Sequence, residues 1–149
     1  MHAKDSIMVG TTSFTSNIAL SQKLMGIAKI ANPDAVTILG GHHPSVMDVD
    51  SARHPSIDVV VRGEGELTVR QLAYEIAKGT RKYRNVSGIT FKDGDVVRNP
   101  DREEFVDFKD TPLPSFDIIP EEYRNQLLCY VVRSRGCKYN CLFCSESEY

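Results

Sequence analysis

The chain has 149 residues, 41% of them hydrophobic and 26% charged, which is the size and balance of an ordinary globular protein with one main core. Its formal net charge of -2 gives no reason to expect nucleic acid or an anionic membrane as a partner. No apolar run approaches the ~20 residues that span a bilayer, and the polar start MHAKDS does not open a signal peptide, so we expect a cytoplasmic protein.

Short apolar runs alternate with helical patterns through the first half of the chain. The runs SIMVGTT, AVTILGG and IDVVVR predict three strands, the last of which ends at Arg62. Two apolar stripes at helical spacing predict helices, with a weaker helix from Pro44 between them. The stripes are Leu20, Leu24, Ile27 and Ala31, before a stop at Asn32 and Pro33, and Val69, Leu72, Ala73 and Ile76, before a stop at Gly79. This alternation indicates an α/β fold with a parallel sheet covered on both faces.

The pattern changes after Gly79. GITFKDGDVVRNP predicts a β-hairpin that turns at Lys92, Asp93 and Gly94. Residues 101–125 are charged and rich in proline, which predicts a linker that lies along a surface. Its expected anchors are Phe105, Phe108, Leu113, Phe116 and Ile118. A last strand, LLCYVVRS, then leads into a cluster of cysteines.

Ligands of open parallel sheets bind at the carboxyl ends of the strands, so the residues that follow each strand are candidate site residues. Here these are the hydroxyl residues up to Ser13, the pair Gly40 and Gly41 with His42 and His43, and the loop Gly63, Glu64, Gly65 and Glu66. The glycines allow a ligand to approach the backbone, but they can equally serve only to make the turn. The two histidines can contact a cofactor or metal, or remain hydrogen-bonded loop residues.

The sequence GEGELT is close to the fingerprint of dinucleotide-binding domains, but it departs from it in two ways. Thr68 occupies the position of the third glycine, and the carboxylates of Glu64 and Glu66 would repel a pyrophosphate. A dinucleotide site in this loop is therefore not expected.

Cys137, Cys141 and Cys144 have the spacing C-x3-C-x2-C. Three thiolates on one tight loop can hold three irons of a four-iron cluster and leave the fourth iron open. Structural zinc is the alternative, with Cys129 as a fourth ligand, although Cys129 in an apolar run is more typical of a small buried residue.

The stretch RGCKYNCLFC resembles the signature of radical S-adenosylmethionine (radical SAM) enzymes, C-x3-C-x-aromatic-C, in which Phe143 is the aromatic residue. The resemblance implies that Cys137, Cys141 and Cys144 ligate a 4Fe-4S cluster. It also implies that the open iron binds S-adenosylmethionine, which is cleaved reductively to a 5'-deoxyadenosyl radical, and that Phe143 packs near the adenine.

The segments ILGGHHPS, IDVVVRGEGELT, GITFKDGDVVRNP and TPLPSFDIIP are similar, in order and spacing, to the subgroup with an N-terminal cobalamin-binding domain. That resemblance implies a partial Rossmann- or flavodoxin-like sheet over residues 1–100, a linker over 101–127 and the first strand and cluster loop of an incomplete barrel over 128–149. Ser13, Gly40 and Gly41 would then border the nucleotide tail of cobalamin, with His42 in the same loop, and Gly63, Glu64 and Gly65 would lie near the corrin or a partner domain.

Two departures from the subgroup shape the expectation. The strand and helix that normally open the cobalamin domain, and its D-x-H-x-x-G motif, have no counterpart here, and most of the barrel has none either. We therefore expect a segment of a longer enzyme that is inactive alone, with a substrate that its residues do not specify. A stand-alone cobalamin- or nucleotide-binding module is the alternative, and a homodimer through an exposed sheet edge is a further expectation.

Overall fold

A computed structural model describes residues 5–104, 106–107, 109, 111–112, 115, 119–124, 135–139 and 141–145. The chain divides into two compact units, Met1–Phe105 and Val106–Ser147. Several predicted features lie outside the described residues. They are the strand LLCYVVRS with Cys129, and the linker anchors Phe105, Phe108, Leu113, Phe116 and Ile118.

The first unit is built on one mixed sheet whose strands follow each other in space as they do in sequence. Its strands are β1 (Met8–Thr12), β2 (Val36–Gly40), β3 (Val59–Val61), β4 (Ile89–Asp93) and β5 (Asp95–Arg98). Strands β1, β2 and β3 are parallel, in the register Met8 to Val36 and Ile38 to Val59. The predicted hairpin forms around Gly94 and extends the same sheet, because β4 pairs antiparallel with β3.

Helices cover both faces of this sheet, which confirms the α/β fold predicted from the sequence. They are α1 (Ile18–Ala31), α2 (His42–Val46), α3 (Asp48–Arg53) and α4 (Glu66–Ala77). Alternate strand residues point to opposite faces. Val9, Leu39 and Val60 pack in a cluster with residues of α1 and α3, and Ile38, Val59 and Val61 pack in another with Leu72 of α4.

The boundaries of the helices follow local chemistry. Asn17 lies just before α1, and the backbone N–H of Asn32 after its last residue donates to the carbonyl of Ala28. Gly79 follows α4 with a φ of +67°, a conformation that glycine adopts without a steric penalty.

In the second unit the described helix is α5 (Glu121–Arg124). Among the described residues, no helix is both long enough and apolar enough to cross a membrane.

The apolar stripe predicted on α1 does not form the buried face of that helix. Leu20, Leu24 and Ile27 are 59%, 46% and 54% exposed, whereas Ser21, Met25 and Ala28 face the core. Helix α1 therefore packs its small and flexible residues against the sheet, whereas its larger branched residues are exposed. Strand β1, against which α1 packs, is an edge strand of the described sheet.

Candidate functional site

A groove of about 370 Å³ lies on the α4 side of the sheet, at the carboxyl ends of the three parallel strands. We call it the glycine groove, and its lining residues are Met8, Gly10, Thr11, Thr12, Ile38, Gly40, Gly41, Val61, Gly63, Gly65 and Val69. Five of the eleven are glycines, and none carries a charge. The walls are therefore backbone, apolar side chains and the two threonines Thr11 and Thr12, a surface that suits a flat, uncharged ring.

Packing of the protein itself does not require glycine at two of these positions. A Cβ atom built on Gly10 would lie 3.8 Å from Ile38, and one built on Gly40 would lie 3.7 Å from the carbonyl oxygen of Val61. Both distances are ordinary van der Waals contacts, so alanine could be accommodated at either position. The missing side chains instead leave open space in the groove.

Gly41 differs, because the fold itself requires glycine there. Its φ of +101° with ψ of -174° is a conformation reserved almost entirely for glycine. A Cβ atom would also clash with the hydroxyl of Thr12 and come within 2.8 Å of the backbone N and O of Ser13. This conformation lets the loop after β2 approach the end of β1, and the approach shapes one rim of the groove.

Ser13 holds these two strand ends together through its backbone. Its N–H donates to the carbonyl of Gly40 at 2.8 Å, and its carbonyl accepts from the N–H of His43 at 3.1 Å. The Ser13 hydroxyl is fully buried and lies 3.1 Å from the side-chain oxygen of Asn17. The structure thus places Ser13 beside the groove but its hydroxyl toward the start of α1, away from the groove lining.

The two histidines after the glycine pair have separate local contacts. The ring of His42 stacks on Phe14 with centroids 4.8 Å apart and planes 20° from parallel. Nδ1 of His43 lies 3.0 Å from the hydroxyl of Thr15. Both histidines therefore connect the loop after β2 to the loop after β1. Phe14 is 52% exposed, so the stack offers an aromatic face to solvent near the strand ends.

The loop after β3 supplies the third side of the site. Gly63, with φ of +60°, and Gly65 line the groove, whereas the partly buried Glu64 between them does not. Arg62, immediately before this loop, has a side chain that is only 4% exposed and binds residues of β4 and the segment after β5. The end of β3 is thereby fixed to the hairpin.

Ser45 joins two of the loops, although no motif in the sequence indicated a role for it in the site. Its hydroxyl donates to the carbonyl of Gly41 at 2.8 Å and accepts from the N–H of Gly63 at 2.9 Å. One side chain thus sets the separation of the loops that follow β2 and β3. The only signal in the sequence is a hydroxyl residue four positions after a glycine that begins a short helix.

We expect Ser45→Ala to destabilise the first unit by about 1–2 kcal/mol, because two hydrogen bonds are lost and the N–H of Gly63 loses its partner. Ser45→Thr is the matched control, since it keeps the hydroxyl. Urea unfolding followed by circular dichroism measures both. Equal stability of Ser45→Ala and the wild type would show that the two loops are held in place by other contacts.

The predicted cluster residues belong to the second unit. Cys137, Cys141 and Cys144 are exposed free thiols, and the N–H of Cys144 donates to the carbonyl of Cys141 in a turn. Phe143 in that turn is 94% exposed. Within the part of the chain that the structure describes, no three His, Cys, Asp or Glu side chains are gathered closely enough to hold a metal ion.

The first unit is thus an open α/β domain with a neutral, glycine-lined groove at the carboxyl ends of its strands. Residues 2–73, which contain all eleven lining residues of that groove, match the family of the B12 binding domain. The chain therefore carries a B12-binding domain, as the resemblance in its sequence predicted.

Two curated relatives match nearly the whole chain. An uncharacterized methyltransferase of Pyrococcus horikoshii is 36% identical over 148 residues, which cover 96% of this chain and 32% of that protein. The anaerobic magnesium-protoporphyrin IX monomethyl ester cyclase of Rubrivivax gelatinosus is 35% identical over 152 residues, which cover 95% of this chain and 27% of the cyclase. The chain thus spans about a third or less of the length of these relatives.

A solved structure shares the fold. The radical S-adenosylmethionine methyltransferase TsrM from Kitasatospora setae, determined with cobalamin and a [4Fe-4S] cluster bound, superposes with a TM-score of 0.60 at 20% identity. The match covers 74% of this chain and 22% of TsrM. At this identity the superposition shows the fold, and it agrees with the domain match over residues 2–73 and with the resemblance of the sequence to radical SAM proteins that have a cobalamin-binding domain.

Proposed function

We propose that the glycine groove binds the nucleotide tail of cobalamin, and that the chain is the cobalamin-binding part and cluster loop of a radical SAM enzyme. The proposal for the nucleotide tail rests on the open space beside Gly10 and Gly40. The fold would tolerate a side chain at both positions, but neither residue has one. A flat ring can lie directly against backbone at these two positions.

The groove matches the chemistry of a nucleotide base better than that of a polyphosphate. Its apolar walls, Met8, Ile38, Val61 and Val69, can cover both faces of a heteroaromatic ring and exclude water from it. Backbone groups and the hydroxyls of Thr11 and Thr12 are the polar atoms available for a ribose or an amide. No lining residue carries a positive charge that could neutralise a pyrophosphate.

The three loops around the groove have a positioning role. Ser45 and the backbone of Ser13 hold the strand ends at fixed separations, so the site is formed before a ligand arrives. The stacked rings of Phe14 and His42 lie at the same end of the sheet and offer a surface for the corrin. When bound, cobalamin supplies a cobalt centre that can carry and transfer a methyl group.

We expect Gly40→Ala and Gly10→Ala each to lower the affinity for hydroxocobalamin about tenfold, which corresponds to about 1.4 kcal/mol, because each Cβ atom occupies the groove. The stability of both variants stays near that of the wild type, since the Cβ atoms meet only ordinary contacts. Equilibrium titration followed by the visible spectrum of the corrinoid measures the affinity.

Gly26→Ala is the matched control. Gly26 lies in α1, outside the groove lining, and a Cβ atom there would meet Ser56 at 3.8 Å. This variant should keep the affinity of the wild type and gain up to about 1 kcal/mol of stability from helix propensity. If all three variants bind cobalamin equally well, the groove is not where the nucleotide tail lies.

We extend the assignment to the cysteine loop. Cys137, Cys141 and Cys144 would ligate a 4Fe-4S cluster whose open iron binds S-adenosylmethionine, and Phe143 would contact the adenine. The spacing of the thiols and their free, exposed state support this assignment. In the described structure the three thiols are not close enough together to hold a metal ion, so they would have to move together when the cluster binds.

Anaerobic reconstitution with iron and sulfide tests the loop. We expect about four irons per wild-type chain and a large loss of iron in Cys141→Ala. Zinc or free thiols with no bound iron, combined with tight cobalamin binding, would instead support the stand-alone binding module.

A second copy of the chain is the partner that we propose for the first unit. Edge strand β1 can accept another strand, and the exposed Leu20, Leu24 and Ile27 of α1 lie beside it. Concentration-dependent mass in sedimentation experiments would support this pairing, and Ile27→Asp should reduce it. A concentration-independent monomer mass would exclude it.

A further inference from the structure

A second groove, of about 530 Å³, lies at the opposite end of the sheet from the glycine groove. It is formed where β2 and β3 begin and β4 ends, around Val36, Asp58 and Asp93. We call it the basic groove, because five cationic side chains line it against three carboxylates. The cations are Lys29, Arg81, Lys82, Arg84 and Lys92, and the carboxylates are Asp34, Asp58 and Asp93.

Two of the three carboxylates are already neutralised within the protein. Lys29 pairs with Asp58 at 2.5 Å, and Arg84 pairs with Asp93 at 2.7 Å. Arg81, Lys82 and Lys92 remain against the one carboxylate of Asp34, so the lining has two positive charges in excess. Lys92 also lies near Asp58, and its Nζ donates one hydrogen bond to the carbonyl of His54 at 2.8 Å. This local excess contrasts with the net charge of -2 for the whole chain. It makes the groove a favourable place for an anion.

The backbone of Arg81, which lines the groove, has an unfavourable conformation. Its φ of +45° lies in the left-handed region, which ordinary side chains rarely occupy. It is the one non-glycine residue with positive φ in the described part of the chain. The guanidinium donates only one weak hydrogen bond, at 3.3 Å, to the carbonyl of Asp34. Most of its donors therefore remain available to a ligand, and a planar guanidinium suits the oxygens of a phosphate.

The groove also has an apolar side, where Tyr83 and Phe91 meet edge to face with centroids 5.6 Å apart beside Val36. The hydroxyl of Tyr83 is buried and has no hydrogen-bond partner among the described residues. Burial raises the pKa of this hydroxyl above its ordinary value, so it keeps its proton at neutral pH and can donate. A buried hydroxyl without a partner is uncommon in proteins and indicates an unmet interaction.

We propose that the basic groove is a binding site for a small organic phosphate, with the phosphate held by Arg81, Lys82 and Lys92 and the apolar body against the half-buried ring of Tyr83, which Val36 and Phe91 support from the core. Its volume is within the range of small-molecule pockets. The site is independent of the glycine groove and of cobalamin, because the two grooves share no residue.

Calorimetric titration of the 149-residue chain with ADP, and separately with inorganic pyrophosphate, tests the site. We expect saturable binding of both, tighter for ADP, and weaker binding of both as the salt concentration rises. Arg81→Gly should weaken ADP binding about tenfold. The same variant should raise the thermal midpoint, because glycine adopts the backbone conformation of residue 81 without strain. Weaker binding together with higher stability separates a lost ligand contact from a damaged fold.

Arg53→Ala is the control for charge. Arg53 lies on α3, outside the groove lining, and forms an exposed pair with Asp50. Its removal changes the net charge by the same amount, and ADP affinity should stay within about twofold of the wild type. The absence of saturable ADP binding, or equal losses in Arg53→Ala and Arg81→Gly, would overturn the assignment.

Discussion

Replacing Arg62 with methionine should lower the free energy of unfolding of the first unit by about 3–5 kcal/mol. The guanidinium is buried and donates to the hydroxyl of Thr90 at 2.5 Å, to the carbonyl of Asn99 at 2.6 Å and to the carboxylate of Asp101 at 2.8 Å. Methionine fills similar volume but leaves these acceptors without their donor. The nearby carboxylate of Asp48, whose side chain is 11% exposed, would also lose a neighbouring positive charge.

The matched control is an arginine in an exposed ion pair. Arg53 and Asp50 are 2.8 Å apart with side chains 66% and 60% exposed, so Arg53→Met should change stability by less than about 0.5 kcal/mol. Arg62→Lys should fall between the two, because an ammonium group cannot reach three acceptors in the fork geometry of a guanidinium. Urea unfolding gives all three values, and a loss below about 1 kcal/mol for Arg62→Met would contradict the central role of Arg62 in this cluster.

The contacts of Asp101 with Arg62 and Arg98 should make the stability of the first unit depend on pH in the acid range. The hydrogen bond from Arg62 lowers the pKa of Asp101 below its ordinary value, with the charges of Arg62 and Arg98 acting in the same direction against burial. Because the folded pKa is depressed, the stabilisation is present above the ordinary Asp pKa and is lost as the pH falls through the folded pKa. Asp101→Asn should therefore flatten the stability profile below about pH 4 and leave its shape at neutral pH unchanged.

Gly41→Ala should destabilise the first unit by about 3 kcal/mol or more. The substitution places a Cβ atom in a backbone conformation that only glycine adopts readily, with φ of +101°. The same atom would meet the backbone of Ser13 at 2.8 Å, where neither strand end can move without breaking the hydrogen bond from Ser13 to Gly40. Strain and overlap therefore act together at this position.

Gly40→Ala is the neighbouring control, because its Cβ atom meets only contacts of 3.7 Å and 4.0 Å with Val61. Thermal unfolding should separate the two adjacent glycines clearly, with a large loss for Gly41→Ala and little change for Gly40→Ala. Similar midpoints for the two variants would mean that the loop after β2 has another conformation in solution.

The sheet was predictable because its strands are short and continuously apolar and its turns carry strong local signals. The apolar run AVTILGG contains β2, and Gly94 forms the turn between β4 and β5. Both features depend on residues that are adjacent in sequence. The pairing of β4 with β3 could not be predicted in the same way, since a hairpin pattern does not specify which edge of a sheet it joins.

Periodicity identified α1 but not its buried face. Leu20, Leu24 and Ile27 have the spacing expected of a core stripe, yet Met25 and Ala28 lie against the sheet instead. Helical spacing alone identifies two apolar sides when both carry hydrophobic residues, and only the neighbouring elements decide between them.

The lining of the glycine groove was predictable where glycines follow a strand, and not where a side chain binds a residue distant in sequence. Glycines after strands indicated the groove at Gly40, Gly41, Gly63 and Gly65. The bond between Ser45 and Gly63 and the bonds of Arg62 join residues that lie 18 or more positions apart in sequence, and no local pattern marks such contacts. The domain boundary predicted near residue 100 and the roles predicted for Ser13, His42, Glu64 and the three cysteines stay predictions.

The most direct measurement compares the binding of hydroxocobalamin with that of cobinamide, the corrinoid that lacks the nucleotide tail. If the glycine groove holds the tail, the wild-type chain binds cobalamin at least about tenfold more tightly than cobinamide. Gly40→Ala should then weaken cobalamin binding and leave cobinamide binding unchanged. Equal affinities of the wild-type chain for the two corrinoids, or no binding of cobalamin, would contradict the account.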